Sequence, residues 1–211
     1  SVFNPSAYVK DEHKSKYKQI AGSEILSFTQ EQREHFLIGM MKVNFLKRLE
    51  SSIESFEISL DRTIKKIEVL EKKIVDFNNN KSISIEETLD NYTAETDETD
   101  EDADDAEQWQ VGKKLKFNLA DLDLDQWSAD LKQDKEALSD LYANAVAVDP
   151  VRDAKMEGLR VLIAEKNKNP INPNNKKVIV FTAFADTAKY LYENIKDWVV
   201  TKLKLNIALV S

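Results

Sequence analysis

The spacing of apolar side chains between Leu46 and Phe77 constrains this chain more than any other feature. Leu46, Leu49, Ile53, Phe56, Leu60, Ile67, Leu70, Ile74 and Phe77 recur at alternating intervals of three and four, with Thr63 filling the one polar slot. A period of 3.5 residues keeps one stripe on one side of a helix, which is the pattern of a helix packed lengthwise on another. Thr29 followed by Gln32 makes a capping box at the front. No Pro appears in the next fifty residues, and only Gly39 interrupts. A helix from Thr29 to Asn80 would rise roughly 75 Å at 1.5 Å per residue. A small globule cannot cover such a rod, so the pattern asks for a partner helix.

A partner is available in the same chain. Leu124, Trp127, Leu131, Leu138, Leu141 and Ala145 repeat the three-four pattern, with Lys135 at its weak point. Asp123 or Asp125 can cap this helix, and Asp149-Pro150 stops it. A long antiparallel hairpin is the expectation; a homo-oligomeric coiled coil is the alternative that uses the same seam.

Between the two patterns lies an acidic tract. From Glu86 to Glu107 there are twelve acidic residues and no Lys or Arg. They account for the net charge of −8 and leave the rest of the chain about four charges positive. Such a block repels itself and buries nothing, so residues 82–110 are expected to form a mobile linker at the tip of the hairpin. A calcium loop does not fit: Asp100-x-Asp102-x-Asp104 is followed by Asp105 where Gly is required and Val111 where a bidentate Glu belongs. Asp121-x-Asp123-x-Asp125 fails the same way at Gln126 and Lys132.

Composition removes further classes. There is no Cys, so a disulfide scaffold, a thiolate metal site and a Cys nucleophile are excluded. His13 and His35 are the only histidines and do not form a zinc-protease motif. Four Gly and four Pro are too few for the turns of an all-β domain. The most apolar run, Phe36 to Leu46, is broken by Lys42 and is about half the length a membrane span needs. The expectation is a cytoplasmic protein with no metal and no membrane partner.

Past Asp149 the character changes. Asp153 to Glu165 reads as a short amphipathic helix, and Asn167 to Lys176, with Pro170 and Pro173, as a loop. Lys177 to Thr182 is a continuous apolar run, the pattern of a strand buried on both faces. Asp186 to Lys202 is helical, and Leu205 to Ser211 is apolar again. Strand, helix and strand make a βαβ unit of a parallel sheet, incomplete with two strands. The expected fold is therefore mainly α with a small α/β part: a helical region over 1–150 and the start of an α/β lobe over 151–211.

These last residues resemble a known family. KVIVFTAFADTAKYLYENI, Lys177 to Ile195, resembles motif IV of superfamily-2 helicases, where the first strand of the second RecA-type lobe leads into a helix. Asp153-Ala154-Lys155 followed by Leu159 is similar to the D-x-K-x-x-x-L helix entering that lobe. NFLKRLESSIESF, Asn44 to Phe56, resembles a segment of the helical region between the lobes in Swi/Snf-related bacterial helicase-like ATPases. Asp121 to Leu141 resembles the return segment of that region.

The resemblance implies the inter-lobe part of an ATP-dependent helicase or translocase acting on DNA or RNA, with the remaining lobes as partners. ATP, magnesium and the catalytic residues would belong to the whole motor and not to this part. Gly112-Lys113-Lys114 is not a P-loop, because Glu107 stands where its first Gly should be and no Ser or Thr follows the Lys. In the family the loop after the motif IV strand touches the nucleic-acid backbone, which implies contacts at Thr182, Ala183 and Phe184. The alternative is that Thr182 caps the following helix and Phe184 packs inward. Lys47 and Arg48 are expected on a solvated face beside the seam, with a DNA contact as the alternative. The competing function is a helical coiled-coil interaction module with a small α/β appendage, and an exposed sheet edge would favour a homo-oligomer.

Overall fold

The computed structural model describes residues 1–17, 20–21, 28–79, 117–148 and 150–210. The acidic linker 82–110, Asp149 and Gly112-Lys113-Lys114 lie outside them, as does the Thr29 side chain of the expected capping box. The described chain is mainly helical. After two 3-10 turns come α1 (Lys14–Tyr17), β1 (Ile20–Ala21), β2 (Phe28–Thr29), α2 (Gln30–Ser51) and α3 (Ile53–Asn79). A 3-10 turn at Leu119–Asp121 leads into α4 (Leu124–Val146), then α5 (Ala154–Lys168) and α6 (Ala185–Trp198), which ends in a π-helical turn, Val199–Leu203. No helix among the described residues is long and apolar enough to cross a membrane.

The long rod of the seam is two helices, not one. The break is a single residue, Ser52. Its hydroxyl accepts the Ser55 N–H at 3.1 Å, the bond an N-cap makes to the third residue of its helix. Helical bonding still passes through it, from Ser52 N–H to the Arg48 carbonyl and from Phe56 N–H to the Ser52 carbonyl.

Two compact units are present. Unit 1 comprises Ser1–Leu46 and Leu60–Leu141. Here the seam is buried: Leu60, Thr63, Ile67, Leu70 and Ile74 are all at most 5% exposed. Ile67, Leu70 and Ile74 share a core with Trp127 and Leu131 of α4. Lys135, the weak point of the second pattern, forms an ion pair with Glu71 of α3. The N-terminal segment closes this core. Val9 bridges Leu122, Tyr8 stacks on Trp127 at 5.7 Å, and the Tyr8 hydroxyl donates to Asp130 at 2.8 Å. Leu46, at 66% exposed, stands outside any core.

Unit 2 comprises Lys47–Ser59 and Tyr142–Ser211. Its core is helix on helix: Met156 and Ile163 of α5 meet Tyr190 and Ile195 of α6, with Val199 of the π turn. Asp153 caps α5, accepting the amides of Lys155 and Met156.

The expected βαβ unit is not there. Residues 177–182 and 205–210 carry no ladder, and among the described residues the one ladder is the two-residue antiparallel pair of β1 with β2. The physical reason is where the apolar face of α6 goes. It packs on α5 and not on a sheet, and the apolar run Val178 to Phe181 stays largely exposed. A strand buried on both faces also needs neighbours for its backbone groups, and among the described residues no strand pairs with this segment.

Candidate functional site

The polar side chains of unit 2 converge where the end of α2 and the start of α3 meet the N-terminus of α6. Arg48, Ser51, Ser52, Ser55 and Ser59 recur at helical spacing and form a polar stripe beside the apolar seam. Thr187 of α6 is 3% exposed, and its Oγ1 is within hydrogen-bond distance of two hydroxyls, Ser51 Oγ at 2.8 Å and Ser52 Oγ at 2.9 Å. Ser51 Oγ also lies 3.3 Å from Thr182 Oγ1. Buried hydroxyls are stable only when each finds a partner, and a satisfied cluster of this kind fixes one mutual arrangement of the segments it joins.

Arg48 closes the cluster on one side. It is 4% exposed, which overturns the expectation of a solvated face. Its Nη1 reaches Asp186 Oδ2 at 3.2 Å and Ser55 Oγ at 3.3 Å, and its guanidinium carbon sits 4.7 Å above the Phe184 ring. Arg suits this place because a planar, weakly hydrated cation can stack and donate at once. Around it, Glu54 and Glu57 are held above the ordinary carboxylate range. Burial is the main cause for both; the charge of Asp186 adds to it at Glu54, and that of Glu54 at Glu57. The Tyr190 phenol is also pushed well up, by burial and then by its bond to Asp153.

The expected contact residues fall at the rim of this cluster. Thr182 is half-buried, Ala183 exposed and Phe184 buried. Thr182 Oγ1 accepts the Phe184 N–H at 3.3 Å, so it organises the turn ahead of α6, and Phe184 itself is the N-cap. The Phe184 side chain makes no capping bond to α6, and Asp186 sits in its first turn. The Thr182 hydroxyl, having accepted one bond, keeps its own proton for Ser51, the Phe184 carbonyl or an incoming acceptor.

Sequence reasoning missed Arg48, Ser52, Ser55, Thr187 and Asp186. The signal was present in the spacing of the polar stripe, which the stronger apolar period overshadowed. Among the described residues no group of three or more His, Asp or Glu is placed to hold a metal ion. In unit 1 a shallow depression is lined by Asn4, Ser6, Glu31 and His35; the buried carboxylate beside it, Glu34, is already engaged by the Ser6 N–H and hydroxyl. Comparison with protein-family models, curated proteins and solved structures finds no match to this chain.

Proposed function

We propose that this chain is a non-catalytic part of an ATP-driven DNA or RNA helicase or translocase, positioning the segment that touches the nucleic-acid backbone at Thr182, Ala183 and Phe184. One observation carries the reading. Residues 44–56 and 177–195 resemble that family independently and lie more than a hundred residues apart, yet they meet side chain to side chain. Ser51 and Ser52 bond Thr187, and Arg48 pairs with Asp186 while stacking on Phe184. In a motor of this kind, an inter-lobe helix that grips the turn ahead of α6 would hold that turn still while it engages phosphate. ATP and magnesium would bind elsewhere in the motor, since this chain carries no P-loop.

The helical interaction module is the weaker reading, because the seam it would offer to another coiled-coil chain is already filled from Ile67 to Ile74 by α4.

Fluorescence anisotropy with single- and double-stranded oligonucleotides tests the proposal. Binding is expected to be weak and to vanish at moderate salt, since few phosphates are neutralised. Thr182→Val and Ala183→Glu should each weaken it several-fold further. Tight binding that neither substitution alters, or no binding even at low salt, would remove the contact from these residues.

A further inference from the structure

A hydroxyl has one proton to give, so a row of hydroxyls can point only one way when one end is closed. Ser52, Thr187, Ser51 and Thr182 form such a row, with oxygen separations of 2.9, 2.8 and 3.3 Å. The Ser52 end is the closed one. Ser52 is buried, and its Oγ already accepts the Ser55 N–H at 3.1 Å. Among the described residues the acceptor left for its own proton is Thr187 Oγ1. Thr187, also buried and taking that proton, then gives its own to Ser51 Oγ, and Ser51 gives its proton to Thr182 Oγ1. The reverse order would turn the Thr182 proton inward and strand a proton on buried Ser52, which a low-dielectric cluster penalises.

At the open end, Thr182 Oγ1 accepts twice, from Ser51 and from the Phe184 N–H. Both of its lone pairs are then used, and it can act only as a donor. The acceptor beside it is the Phe184 carbonyl at 3.4 Å, which is long for a hydroxyl. An anionic oxygen would take the proton in preference. We propose, on the reading that this turn meets nucleic acid, that Ser52, Thr187 and Ser51 are positioning residues whose hydroxyls run as a one-way chain and commit Thr182 to donate to a phosphate oxygen. The buried pair Ser52 and Thr187 acts only through Thr182.

The direction is read by NMR on the whole chain, without any ligand. The hydroxyl proton coupled to the Thr187 β proton should give a nuclear Overhauser effect to the β protons of Ser51. The same effect to the β protons of Ser52 instead would show the opposite direction and overturn the proposal. Fluorescence anisotropy with a single-stranded oligonucleotide at low salt reads the consequence. Thr187→Val keeps the shape and removes the link, and should raise Kd about fivefold, the worth of one ordinary hydrogen bond. Thr187→Ser keeps the hydroxyl and should stay within about twofold of the unaltered chain. The double variant Thr182→Val with Thr187→Val should bind no more weakly than Thr182→Val alone, because Thr187 then has nothing to act through. A merely structural Thr187 would add its own loss to that of Thr182. Should Thr187→Val not fold, Ser51→Ala breaks the chain one link on and should give the same loss and the same lack of additivity. Full additivity with Thr182→Val, or equal losses in Thr187→Val and Thr187→Ser, would overturn the proposal. If the unaltered chain binds no oligonucleotide, the nucleic-acid reading falls and the phosphate with it, and the Overhauser pattern still upholds or overturns the chain of hydroxyls.

Discussion

Asp153 ties two helices of unit 2 together through a single carboxylate. It accepts the Lys155 and Met156 amides at 2.9 and 3.0 Å, and the Tyr190 hydroxyl at 2.9 Å. Losing an N-cap costs about 1 kcal/mol, and leaving a partly buried hydroxyl without its partner costs about as much again. Asp153→Ala should therefore lower the unfolding free energy of unit 2 by about 2 kcal/mol. Tyr190→Phe should cost less, because Asp153 keeps both amides. Urea denaturation of the two variants separates the contributions, and equal losses would mean that the cap contributes nothing. The Asp153-x-Lys155 pattern was legible in the sequence, but the bond to Tyr190 was not, since nothing local relates residue 153 to residue 190.

At the scale of elements, α3 and α4 show how a local period finds a partner. The seam could be read residue by residue because each apolar position repeats within one helix, and its buried stretch, Leu60 to Ile74, follows that reading. Lys135 looked like a defect in the α4 pattern; the structure pairs it with Glu71. Both side chains are roughly a quarter exposed, so solvent screens the pair and its coupling should be no more than about 1 kcal/mol. A double-mutant cycle with Lys135→Ala and Glu71→Ala measures it. A coupling of zero would show the pair to be incidental, and one well above that figure would show it to be more desolvated than its exposure implies. The break at Ser52 was less legible. Ser51-Ser52 is a weak helix signal against a continuous apolar seam, and only the hydroxyl bonds to Thr187 show why two serines stand there.

At the scale of the whole molecule, the two units should respond to pH in opposite directions. In unit 2, burial raises Glu54 and Glu57 above their ordinary value of 4.5, so the native state holds protons that the unfolded chain has lost. Stability then falls as pH climbs through their raised values and recovers as pH drops toward 4.5. In unit 1, burial would raise Asp121, but bonds from Lys16 and Tyr17 and the charges of Lys16 and His13 outweigh it and hold Asp121 below its ordinary 3.8. Its contribution is complete above pH 3.8 and is lost as pH falls through the lowered native value. Urea unfolding at several pH values, followed through amide signals of Leu131 for unit 1 and Ile163 for unit 2, checks both signs. Glu54→Gln should flatten the response of unit 2, and Asp121→Asn that of unit 1. By itself the sequence determined the helices, because a helix satisfies its hydrogen bonds within four residues and announces its buried face by a short period. It determined the absence of thiol chemistry in the same direct way. It did not determine what becomes of Val178 to Phe181. An apolar run of that length suits a strand, but a strand finds its hydrogen bonds only in another segment, and whether one lies beside it is a tertiary fact. The structure packed α6 on α5 and left that run exposed and unpaired with any described strand, because helix-on-helix burial of Met156, Ile163, Tyr190 and Ile195 needs no sheet beneath it.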